Sequence, residues 1–177
     1  MWKCVQILFL CTALLSSTVA MAADVSLLKG MYFYNFIRFT TWPKPIDAAK
    51  QVKVVVFDAR LFSVILQKIS EKSHFLPKML VTPCRTPDCA NNMQAVFFHD
   101  ITDIKRQYTL ESLAGTPVLT ISDQIGFLKM GGMVELQESS GRLGFSINLA
   151  AFNKSGLYIS ADILEMAQDV IREANTP

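Results

Sequence analysis

"TISDQIGFLKMGGMVELQESSGRLGFSINLAAFNKSGLYISADILEMAQDV", Thr120 to Val170, is the stretch whose reading decides the fold. Gly131 and Gly132 interrupt the chain before a run in which Val134 and Leu136 alternate with Glu135 and Gln137. Ser139, Ser140 and Gly141 then supply a turn. A second alternating run follows, with Leu143, Phe145, Ile147 and Leu149 on one face and Gly144, Ser146 and Asn148 on the other. Two runs of period two across a short Ser/Gly turn predict an antiparallel hairpin with one apolar face. Beyond Gly156, Ser160 is placed to cap a helix and Asp162 falls in its first turn. Ile163, Leu164, Ala167, Val170 and Ile171 continue at helical spacing, so one closing helix is expected to cover the hairpin.

Upstream, strand and helix signals alternate. Val25 to Thr41 reads as a helix stopped by Pro43. Lys44 to Gln51 is a polar linker. Val52–Phe57 is an almost unbroken β-branched run, as in a strand covered on both faces. Leu61 to Ile69 has helical spacing, and Met79 to Thr82 reads as a short strand. Ala95 to Phe98 is a further buried strand, followed by a helix around Leu110 and Leu113 and a strand from Pro117 to Ile121. Such alternation predicts an α/β fold, a mainly parallel sheet flanked by helices, with the hairpin as an antiparallel addition and a closing helix at the end. Sequence repeats and low-complexity tracts are missing.

The amino terminus reads as an export signal. Met1-Trp2-Lys3 is a minimal basic start, Val5 to Val19 is mostly apolar, and Ala20-Met21-Ala22 offers a cleavage motif. That run is shorter than the ~20 residues of a spanning helix. The expectation is therefore a signal peptide over residues 1–22 and a single domain over 23–177, cleaved near Ala22 or Ala23. About 150 residues suffice for one core. A formal net charge of +2 with no basic face argues against nucleic-acid binding. Export carries Cys84 and Cys89 into an oxidising compartment, where a bond between them would close a short, proline-stiffened loop.

Catalytic patterns are lacking. Gly126 and Gly131 have the spacing of a phosphate loop, but Gly132 stands where its lysine belongs. A zinc site from Cys84, Cys89 and His99 lacks both close cysteine spacing and a fourth ligand. His99 follows a buried strand and reads as a hydrogen-bonded structural residue. Asp58, Asp100 and Asp123 each follow a strand; the favoured reading makes them caps of the next helix, and the rival gathers them at the sheet's carboxyl edge. Asn35 and Arg38 read as the solvated edge of the first helix, and the rival reading sets Arg38 beside Trp42 in a small polar–aromatic pocket. The first helix has two apolar stripes: Val25, Leu28, Tyr32, Phe36 and Phe39, then Leu27, Met31, Tyr34 and Ile37. Covering a sheet takes one, so either the helix is deeply buried or part of the surplus meets another chain, with Tyr32, Phe36, Phe39 and Trp42 as the anchors of that contact.

An ordered set of motifs resembles the YfiR-like periplasmic proteins. It comprises Tyr34-Asn35-Phe36, Trp42-Pro43, Ser122-Asp123, Phe127, Gly131-Gly132-Met133, Phe145-Ser146-Ile147-Asn148-Leu149, Gly156-Leu157, Ile159-Ser160, Ile163-Leu164 and Ala167. The resemblance implies a non-enzymatic periplasmic regulator, without cofactor or metal, that tends to form homodimers. It further implies repression of an inner-membrane diguanylate cyclase through the cyclase's periplasmic part, lowering cyclic-di-GMP and biofilm formation. Disulfides keep such inhibitors folded, a role open to Cys84 and Cys89. The alternative function is a periplasmic small-molecule sensor acting on another membrane receptor.

Overall fold

The computed structural model describes residues 25–44, 46, 51–74, 78–139 and 142–173. In chain order these form helix α1 (25–39), β1 (Thr40–Thr41), β2 (Val52–Phe57), α2 (Arg60–Lys72), β3 (Met79–Cys84), a 3₁₀ turn (Pro87–Ala90) and β4 (Ala95–Phe98). There follow α3 (Asp103–Leu113), β5 (Leu119–Ser122), β6 (Val134–Ser139), β7 (Arg142–Asn148), α4 (Leu149–Lys154), β8 (Tyr158–Ile159), α5 (Ala161–Met166) and β9 (Asp169–Ile171). The export segment, most of the 44–51 linker and the Ser140-Gly141 turn lie outside the described residues.

Seven strands make one sheet in the order β3-β2-β4-β5-β6-β7-β9. Every pairing in it is parallel except the β6–β7 hairpin, so the expected mainly parallel α/β architecture is the observed one. Both faces of β2 and β4 are covered, which is why their sequences do not alternate. On one face Val54, Val56, Phe97, Leu119, Ile121 and Phe145 pack beneath α1, α2 and α5. On the other, Val55, Phe57, Val96 and Phe98 meet α3, the 3₁₀ turn and Phe127. The edge strand β3 carries Pro83, which an edge position tolerates because it need not donate.

Several local expectations change. The first helix ends at residue 39, and Thr40–Thr41 pair antiparallel with Tyr158–Ile159 in a separate two-stranded sheet. The closing helix is capped by Ser160, whose hydroxyl accepts from the Asp162 amide, but it ends at Met166. Val170 and Ile171 leave it to pair with Ile147 and Asn148 as β9. A six-residue helix has little cooperative reason to extend, while β7 would otherwise be an open edge and β-branched residues suit a strand. Helix α1 also covers the hairpin's apolar face: Phe145 meets the rings of Phe36 and Tyr32 edge-on at 5.0 and 5.6 Å.

Two glycines are fixed by space. A Cβ at Gly30 would lie 2.7 Å from the Ile69 side chain, so α1 approaches α2 closely there. At Gly132 a Cβ would stand 2.2 Å from the Phe127 ring, which folds back over the Gly-Gly step.

Candidate functional site

Helix α1 resolves its excess of apolar residues along its axis rather than between two stripes. In its second half Phe36 of one stripe, Tyr34 and Ile37 of the other, and Phe33 of neither are all buried. In its first half Leu27 is 47% and Met31 50% exposed, with Leu28 exposed beside them. The expected anchors are corrected accordingly. Phe36 and Trp42 belong to the core, because α1 sinks onto β7 toward its carboxyl end; Tyr32 and Phe39 are half-buried against that core. The Arg38 guanidinium lies over the Phe39 ring at 5.4 Å. Neighbouring α2, touched at Gly30, exposes Leu61 and Val64.

The amino-terminal turns of α1 also reach the sheet's carboxyl edge. Lys29 Nζ donates to Asp123 Oδ2 at 2.7 Å, and His99 Nδ1 lies 2.8 Å from the same oxygen. The Asp123 side chain is only 6% exposed. Burial alone would raise its carboxyl, but hydrogen bonds from His99 and Lys29 outweigh that and hold it below the ordinary carboxylate range. The same hydrogen bond raises the His99 imidazole, against burial and the Lys29 charge. His99 stacks on Phe97, so its ring plane is set by the core. His99 thus has the hydrogen-bonded role read from its position.

Asp58, Asp100 and Asp123 do not cap helices, contrary to the favoured reading. Helices α2 and α3 have Ala59 and Thr102 at their capping positions, with no side-chain cap. Asp58 and Asp100 instead hold left-handed turns, with φ of 48° and 42°, which aspartate tolerates better than most residues. The chain runs from β2 out to β3 and returns across β2 to β4, so strand order reverses between β2 and β4. Asp58 and His99-Asp100 leave the sheet at that switch point, where open α/β sheets bind ligands. Arg85 lies 3.6 Å from Asp58 there.

Cys84 and Cys89 are joined, with Cα atoms 6.3 Å apart, and the 3₁₀ turn fills the loop between them. No group of three metal-ligating side chains occurs among the described residues. No helix among them is long and apolar enough to cross a membrane.

Two important side chains escaped the sequence reading. Glu135, placed by alternation on the solvent face, is 3% exposed; it accepts from the Leu128 amide and from Gln137. Arg106, in a polar helix, is buried and bonds Gln124, Asp103 and the Met130 sulfur. Both bind the 123–133 segment to the sheet and α3. The weak signals were a carboxylate opposite apolar neighbours and Gly131-Gly132, which turns that segment back.

A model of the YfiR/HmsC-like family matches residues 26–168. The chain belongs to the YfiR/HmsC-like family. Members are periplasmic regulators in diguanylate cyclase pathways rather than enzymes. Among solved structures, an ABC domain from Streptococcus pneumonia in complex with L-Trp is 9% identical at a TM-score of 0.52. It matches 67% of this YfiR/HmsC-like chain and 55% of its own length. A conserved domain protein from Vibrio cholerae is 11% identical at a TM-score of 0.48, matching 67% of this chain and 54% of its own. The chain therefore spans about half the length of the solved structures it matches, and the first likeness is one of fold alone.

Proposed function

We propose that this chain is an exported periplasmic regulator that represses an inner-membrane diguanylate cyclase by holding its periplasmic part. Repression would lower cyclic-di-GMP and biofilm formation. The observation that carries this reading is the family match over residues 26–168. Residues 1–22 serve as a signal peptide, and 23–177 form the mature domain, which acts as a homodimer. The contact surface is assigned to the exposed start of α1, Leu27, Leu28 and Met31, with Leu61 and Val64 of α2. Exposed apolar side chains on two adjoining helices support that placement.

The test combines Leu27→Ser with Met31→Ser. Both side chains are about half exposed, so the fold should keep its stability to within about 0.5 kcal/mol. Sedimentation should show weaker self-association, pull-down from solubilised membranes should lose the cyclase, and cellular cyclic-di-GMP should rise. Unchanged association and unchanged cyclic-di-GMP in the folded variant would move the contact elsewhere. Failure of the wild-type protein to capture any cyclase would defeat repression itself.

A further inference from the structure

A cavity of about 290 Å³ opens at the amino-terminal end of β5 and β6, away from the switch point. The end of α3, the 127–133 turn and α4 wall it. Its size approaches the lower end of small-ligand pockets, ~300 Å³, and is several times the ~30 Å³ share of one liquid water. The wall is mostly apolar, including Leu113, Val118, Leu128, Met130 and Met133. Thioether side chains adapt to varied apolar shapes.

The floor is rigid because its polar groups are engaged by the fold. Asn148 donates to the Leu128 carbonyl at 3.3 Å and accepts from the Ala151 amide at 3.0 Å. Thr120 Oγ1 accepts from the Met133 amide at 3.1 Å. The rim is different. Lys129 and Lys154 are exposed at it and have no acidic partner among the described residues. Glu111, the rim's single acid, accepts a hydrogen bond from Gln107. Two exposed lysines and one carboxylate thus share the lining of an apolar hollow.

We infer that this cavity binds a small amphipathic monoanion, an apolar body carrying one carboxylate, with the body against the methionines and the carboxylate between Lys129 and Lys154. A neutral molecule of the same shape would leave both lysines unused. A polyanion would meet the apolar wall and Glu111 unfavourably. This site goes beyond the repressor reading and can fail or succeed independently of it.

The test is calorimetric titration of the purified protein with octanoate, 3-phenylpropionate and the neutral octanamide. The two acids should bind, and octanamide should bind about fivefold more weakly or worse, the affinity an exposed charge pair supplies. The relative strength of octanoate and phenylpropionate reports whether the body is an acyl chain or a ring. Lys129→Glu with Lys154→Glu should weaken acid binding about tenfold or more while leaving octanamide unchanged. Ala150→Phe, which fills the hollow, should abolish both. If Ala150→Phe disturbs folding, Ala114→Trp at the exposed lip replaces it and should give the same loss. No acid binding up to about 10 mM, equal binding of octanamide, or full affinity in the charge-reversed protein would overturn the assignment.

Discussion

Asp123 is the residue on which the carboxyl edge depends, since it receives Lys29 from α1 and His99 from β4 together. Its carboxyl is held low and the imidazole high, so the pair's contribution to stability has two limits in pH. A raised His99 contributes fully below its unfolded value of about 6.5 and loses that contribution as pH rises through the folded value. A depressed Asp123 contributes above its unfolded value of about 3.9 and loses it as pH falls through its folded value. Asp123→Asn should therefore flatten the fall in melting temperature as pH rises above about 6.5, the unfolded imidazole value. Thermal melts across that range, wild type against variant, check this; parallel curves would refute it. Glu135 permits a second prediction. Glu135→Ala orphans the buried Leu128 amide and should cost about 2 kcal/mol in urea denaturation. A change below about 0.5 kcal/mol, the size of an ordinary surface substitution, would show that the segment holds without it.

At the scale of elements, α1 is divided along its length: one half is core, the other an exposed apolar surface tied to the sheet through Lys29. A Gly30→Val change should separate α1 from α2, costing roughly 1–3 kcal/mol by overpacking against Ile69 and Ile65. Chemical denaturation measures this, and a neutral result would mean the isoleucines swing aside. The Cys84–Cys89 loop calls for a milder expectation. Six residues from first to last cysteine make a small ring, and Pro87 already restricts it. Reduction should therefore lower stability by about 2 kcal/mol at most, the chain-entropy figure for so short a loop. Loss of the whole fold on reduction would show the bond to be doing more than closing that loop.

For the whole molecule, the parallel sheet sets out two separate regions. The switch point and the apolar start of α1 meet at the carboxyl edge through Lys29, Asp123 and His99, and the lysine-rimmed cavity lies at the amino end of β5 and β6. A regulator with separate partner and ligand surfaces can respond to one at the other, provided each state binds differently. The export proposal makes a direct prediction at this scale. Mass spectrometry of periplasmic material should show the chain beginning near Ala23, about 22 residues shorter than the gene product, as signal-peptide dimensions require. Recovery of an intact amino terminus in membranes would refute it.

By itself, the sequence determined which segments become strands and helices wherever one local pattern prevailed. The β-branched run of β2, the alternating hairpin and the Ser160 cap were legible because their causes are steric and lie within a few residues. So was the family, through an ordered set of motifs spread from Tyr34 to Ala167. Tertiary structure alone decided the rest, because each outcome depended on a neighbour distant in the chain. Val170 and Ile171 became strand because β7 offered an open edge, and Glu135 was buried because the 123–133 segment folded over it. Phe36 and Trp42 turned inward because α1 lies across Phe145 at its carboxyl end. Asp123 met Lys29 and His99, residues 94 and 24 positions away, because α1 and β4 both reach the same sheet edge.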